Sequence, residues 1–177
     1  MTDDQLSEHV VSIFQGEVHN QAEFVTMAIL DLDEMIKHLG PGFDHDRFWF
    51  TMDAALGAIA RLGDIFWPRD KESRSKRRGR ILRERFGIEA ADEATKRDVR
   101  NSFEHFAQRL DSWAETSELG MFIDRNIGPA GALVNVPVSY ARHYDPRTHV
   151  ISVFGQELNL RDAYRECVDL VARVPKS

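Results

Sequence analysis

A chain of 177 residues with 42% apolar and 29% charged residues has room for one domain with a sizeable core, and its composition excludes a disordered or fibrous protein. No run approaches 18 uninterrupted apolar residues, and the acidic, polar start MTDDQLSEH lacks the basic and then apolar pattern of a secretory leader, so a cytoplasmic protein without membrane contact is expected. The net charge of -6 argues against a protein that coats nucleic acid over its whole surface, and the single cysteine, Cys167, excludes a disulfide framework and a thiolate metal site.

Val11, Phe14, Val18, Val25, Ala28, Leu32, Met35 and Leu39 follow a 3/4 spacing, which predicts one long amphipathic helix, or two with a kink near Gly16. The run stops at Gly40-Pro41-Gly42, where the hydrogen-bond ladder cannot continue. The spacing resumes at Phe48, Met52, Ala55, Ile59, Leu62 and Phe66, with Asp44 or Asp46 as N-cap and an end at Trp67-Pro68. A short helix is expected at ILRERF, closed by Gly87. A further helix is expected from about Asp92 to Glu118, on the stripe Val99, Phe103, Phe106, Leu110 and Trp113.

Beyond Gly120, IGPAGALVNVPVSY has no helical period, and a loop with extended pieces fits it. YARHYDPRTHVISVFG reads as a β-hairpin about the turn DPRT. Leu160, Tyr164, Cys167, Val171 and Val174 give a closing helix with Asn159 as N-cap. The expected fold class is therefore all-α: an up-and-down helical bundle over residues 1–118, with a small C-terminal β-hairpin and a closing helix appended over 119–177, all in one domain.

Two features carry chemistry. Of 23 Lys and Arg and 29 Asp and Glu in the chain, eight and two respectively fall between Lys71 and Arg85, so a strongly cationic segment sits on an acidic body. Arg74, Lys76, Arg77, Arg78, Arg80 and Arg83 are the candidate contacts for an RNA backbone, whose phosphates would exchange their counterions for these cations. A solvated loop between helices explains the same run, and spacing does not choose between the two.

The second feature is the run VRNSFEHF. On a helix, Arg100, Asn101 and His105 point about 100°, 200° and 240° away from Val99, off the core stripe. Histidine can move a proton near neutral pH, and a guanidinium can hold a phosphate through two hydrogen bonds. An ordinary solvated helix face would look the same.

The run VRNSFEHF resembles the signature of HEPN domains (higher eukaryotes and prokaryotes nucleotide-binding): an Arg, four to six residues, then a His, with Asn often following the Arg. The resemblance covers roughly the first 118 residues. It implies an all-α bundle with the motif on a later helix, and a metal-independent endoribonuclease whose homodimer brings two motifs into one composite cleft. Arg100, Asn101 and His105 are its implied catalytic residues, RNA its substrate, and a toxin or defence component under an antitoxin or other regulatory protein its setting. It implies no cofactor and no metal. Other members are non-catalytic modules that bind a nucleotide, an RNA or a protein, and that reading stands as the alternative.

His45 beside Asp44 and Asp46, and His143 with His149, lack the spacing of a known metal site. The two later histidines are expected at the surface, flanking the hairpin turn. Tyr140, Tyr144 and Phe154 are expected to pack on the bundle, with base stacking as the other possibility. GPGFDHD and GPAGAL lack the strand, helix and lysine context of a phosphate-binding loop.

Overall fold

The computed structural model describes residues 6–68, 72–89, 105–116, 121–129 and 138–176. They form two compact units, one drawn from Met1–Ala94 and Tyr164–Ser177, the other from Thr95–Ala163. Five helices and six strands are present among the described residues. The expected all-α class is thus corrected to a helix-rich mixed fold with two sheets, well beyond one small hairpin.

In the first unit α1 (Glu8–Lys37) is one unbroken helix, with no kink into separate pieces at Gly16. The Ser7 hydroxyl accepts from Val10 N–H at 3.3 Å and caps its start. Helix α2 (His45–Phe66) begins on Asp44, whose carboxylate accepts from Arg47 N–H at 2.9 Å. The 3/4 repeat does what it should. Val11, Val18, Val25, Ile29 and Leu32 of α1, and Phe48, Met52, Ala55, Ile59, Leu62 and Phe66 of α2, are all buried. The two helices pack along each other. Arg47 reaches Asp31 at 2.6 Å and Arg61 Nε donates to Gln21 at 2.9 Å, which fixes the pair as antiparallel.

Helix α3 (Ser73–Phe86) starts two turns earlier than ILRERF alone suggests, so the basic segment is helical. It ends on Gly87 at φ 63°, a left-handed cap that glycine adopts without strain.

The second unit holds α4 (Phe106–Thr116), of which only this part of the expected 92–118 helix lies among the described residues. Strands β1 (Met121–Ile123), β2 (Asn126–Ile127), β3 (Val138–Tyr140), β4 (Arg142–Asp145), β5 (Val150–Val153) and β6 (Gln156–Asn159) follow. β1 pairs with β3 in parallel, and β2 with β4, at one constant register that takes Ile123 to Tyr140 and Asn126 to His143. The two ladders are halves of one parallel pairing, interrupted where Arg125 takes φ 58°. β4, β5 and β6 continue as an antiparallel meander. The β4–β5 turn is the expected hairpin about Asp145-Pro146, with the Asp145 carboxylate accepting from Arg147 N–H at 2.9 Å. The β5–β6 turn has only Phe154 and Gly155 between the strands, both at positive φ, as tight hairpins require. The last helix, α5 (Leu160–Ala172), starts in this unit on Asn159, whose side-chain oxygen accepts from Arg161 and Asp162 N–H, and from Tyr164 it belongs to the first unit.

Within this unit α4 lays Phe106 on Phe154 and Trp113 on Phe122, with ring centroids 5.2 and 4.4 Å apart. Phe154 therefore packs against α4, and Tyr144 is buried in the sheet. No helix among the described residues is long and apolar enough to cross a membrane.

Candidate nucleic-acid interface

The basic segment resolves into two sets of side chains once it is helical. Arg78 donates to the Asp64 carbonyl at 2.9 Å and lies over the Phe14 ring at 5.2 Å. Arg83 donates to the Phe66 carbonyl and lies 5.8 Å from the Trp67 ring. Both are committed to the end of α2, where carbonyls lack intrahelical partners and a cation complements the dipole. Gly79 makes this closeness possible, because a Cβ there would stand 2.5 Å from the Phe66 carbonyl oxygen and 2.7 Å from Pro68 Cδ. Arg80 pairs with Glu84 on the same helix at 3.3 Å.

Arg74 and Lys76 are exposed, the Arg74 side chain to 90%, and Arg77 is half-buried beside them. Arg74 stands 3.7 Å from the exposed Glu72 carboxylate, where an ion pair in solvent contributes little. These three cations occupy the first two turns of α3, at the positive end of its dipole. The first turn contains no acidic residue and Glu72 makes no side-chain cap. Cations in the first turn are disfavoured by the helix dipole, and an anion bound there would offset this.

A cleft of about 710 Å³ opens beside this end of α3. Arg74, Arg77 and Arg78 line it together with Glu72, Ser73 and Ser75 of the α3 end, and Leu6, Val10 and Phe14 line it from the α1 end. Val10 and Phe14, four residues apart, lie on one side of α1 next to the buried stripe of Val11 and Val18, and Leu6 joins them from the segment before the helix. An apolar wall facing a row of cations suits a ligand with an apolar ring and an anionic group. The sequence offered a signal for this wall, since Val10 and Phe14 widen the apolar face of α1 beyond the stripe of Val11 and Val18.

Of the other expected site, Arg100 and Asn101 lie outside the described residues. His105 is exposed in the turn that leads into α4, its carbonyl accepting from Arg109 N–H at 3.0 Å. Phe106 and Trp113 turn to the sheet, while His105 and Arg109, one turn apart, are exposed. Arg109 was not singled out by the motif. Among the described residues neither His105 nor Arg109 has a side-chain hydrogen bond or ion pair.

The remaining histidines have other employment. His45 meets the edge of Phe43 at 5.0 Å. His149 Nδ1 is 3.2 Å from the Tyr144 hydroxyl. His143, expected at the surface, is only 5% exposed. Its Nδ1 is 2.7 Å from the Asn126 amide nitrogen, its ring stacks on Tyr140 at 4.9 Å, and its Nε2 is buried with no hydrogen-bond partner. Burial pushes its pKa below the ordinary value, against the opposing pull of Asp145 and Glu157. The β2–β4 pairing buries it, because it brings a strand seventeen residues upstream over a side chain that the hairpin alone would leave in water. No family model, curated protein or solved structure matches the chain.

Proposed function

We propose that this is a cytoplasmic protein that binds single-stranded RNA through the cleft between α1 and α3. One observation carries the reading: Arg74 and Arg77, at the uncapped start of α3, face the apolar wall of Val10 and Phe14 across a cleft of nucleotide size. A phosphate would take the guanidinium groups and the N–H groups at the start of the helix, and an unpaired base would lie on the wall. Lys76 extends the charged track along the helix. Arg78, Arg80 and Arg83 contribute field but are held by α2 or Glu84.

Fluorescence anisotropy with a labelled single-stranded RNA tests this. Replacing Arg74 and Arg77 together by Ala should weaken binding at least tenfold with the fold intact, since both side chains reach solvent. Equal affinity of wild type and double variant would remove the reading. A single-stranded DNA of the same sequence measures how much of the affinity is phosphate alone.

A second reading, that the protein also cleaves RNA as a HEPN-like metal-independent endoribonuclease, is favoured by the exposed His105, in the turn before α4, and Arg109 one turn on. In that reaction the ribose 2′-oxygen attacks phosphorus, the P–O5′ bond breaks, and His105 moves the proton while guanidinium groups hold the phosphate oxygens. Arg100 and Asn101 are the motif's remaining members. Two motifs meeting in a homodimer would complete the site, and an antitoxin or other regulatory protein would restrain it. His105→Ala should abolish cleavage in the presence of EDTA and leave RNA affinity at α3 unchanged. Absence of cleavage by wild type leaves the binding module, the non-catalytic alternative.

A further inference from the structure

The cleft beside the start of α3 holds a group that phosphate binding leaves without a use. Among the described residues lining it, Glu72 is the one carboxylate, set beside Arg74, Arg77 and Arg78. Its backbone is extended, at φ -60° and ψ 133°, and its side chain makes no cap hydrogen bond to the helix that follows. The side chain is 66% exposed, and its contact with Arg74 lies in solvent, where a ligand displaces it at little cost. A negative charge beside a phosphate site weakens that site by repulsion unless the ligand also brings donors to it.

The bases of RNA differ in what they bring. Guanine presents two parallel donors, N1–H and N2–H, on its Watson–Crick edge, and they match the two oxygens of one carboxylate as a guanidinium does. Adenine and cytosine present one donor beside a bare ring nitrogen, and uracil presents one donor between two carbonyl oxygens. Each of these three sets a lone pair against a carboxylate oxygen. A base on the wall of Leu6, Val10 and Phe14 lies in the same cleft as Glu72, with its phosphate toward Arg74 and Arg77.

We propose that Glu72 selects guanine at this cleft, its carboxylate accepting from N1–H and N2–H of a base whose phosphate Arg74 and Arg77 hold; the assignment rests on the reading of the cleft as an RNA site. Phosphate contacts then supply affinity and Glu72 supplies base choice, a division common in nucleic-acid recognition.

Fluorescence anisotropy of the full chain with three labelled single-stranded RNAs tests it, each an oligouridine with a central guanosine, inosine or adenosine. Inosine is the sharpest probe, because its base keeps N1–H and lacks the amino group. Wild type should bind the guanosine RNA about fivefold or more tightly than either of the others. Glu72→Gln keeps the shape of the side chain but puts an amide N–H where guanine needs an acceptor. It should bring the three affinities within about twofold of one another, and it should bind the adenosine RNA more tightly than wild type does, because a repelling charge has gone. A wild type that binds the guanosine and inosine RNAs alike overturns the proposal, and so does a Glu72→Gln variant that keeps the preference. If all three bind alike and replacing Arg74 and Arg77 still weakens them, Glu72 does not read the base while the cleft remains an RNA site; if none binds, both readings fall.

Discussion

The two units are held together by different means. In the helical unit long stretches of apolar surface do the work: α1 and α2 each bury one stripe against the other, and the polar contacts between them, such as Arg47–Asp31, lie near the surface. In the sheet unit the strands are two to four residues long, and polar side chains join them. Arg142 grips both oxygens of Asp124 and lies 4.5 Å over the Phe106 ring, joining β4 to the segment between β1 and β2 and to α4. Asn126 and His143 bridge β2 and β4, and Tyr144 and His149 close the hairpin. A short strand buries too little apolar area to fix its register, so specific polar pairs must do it.

The comparison makes graded predictions. Phe48→Ala in the helical core should cost about 3–5 kcal/mol by denaturant titration, the largest effect expected, because the ring is fully buried between packed helices. Gly79→Ala should cost about 1–3 kcal/mol in the same assay, since the clash with the end of α2 outweighs the gain in helix propensity. Asp124→Ala should cost about 1–2 kcal/mol, less than a fully buried pair, because both partners keep about a quarter of their side-chain exposure. If it costs nothing measurable, the sheet unit is not held by its polar pairs and the comparison fails.

The pH response sharpens the same point. His143 is held below its ordinary 6.5 by burial, so the folded state keeps it neutral at pH values where the unfolded chain takes up a proton. Its contribution is therefore complete above about pH 6.5 and is lost as pH falls from there toward the depressed folded value. His143→Gln should flatten the stability profile between pH 6.5 and 5; an unchanged slope would show that the imidazole is not the group responsible. Arg80→Ala should be the mildest, within about 0.5 kcal/mol by thermal melt, since its partner Glu84 is a solvated neighbour on one helix.

The same contrast explains what could be read from residues alone. The ends of α1 and α2, the Gly87 cap and the Asn159 cap follow from chemistry within a few residues, and the helical core follows from one period sustained over several turns. Strands of two or three residues such as Asn126–Ile127 show no alternation to detect. The burial of His143 depends on Asn126, which only the folded register brings close. The start of α3 carries no apolar period between Ser73 and Arg80; what holds it is the grip of Arg78 and Arg83 on α2 carbonyls and the close approach at Gly79. For the candidate site, the cationic character of the segment was legible, but the anchoring of Arg78 and Arg83 on α2 carbonyls was not, because that depends on which side faces α2.

The central claim is that Arg74 and Arg77 at the start of α3 hold RNA phosphates, and the salt dependence of binding measures it most directly. A plot of log Kd against log salt between 50 and 200 mM should lose about 0.7 in slope for each of the two arginines removed, the amount expected for one single-strand phosphate contact each. Parallel lines for wild type and the Arg74→Ala/Arg77→Ala variant would contradict the account.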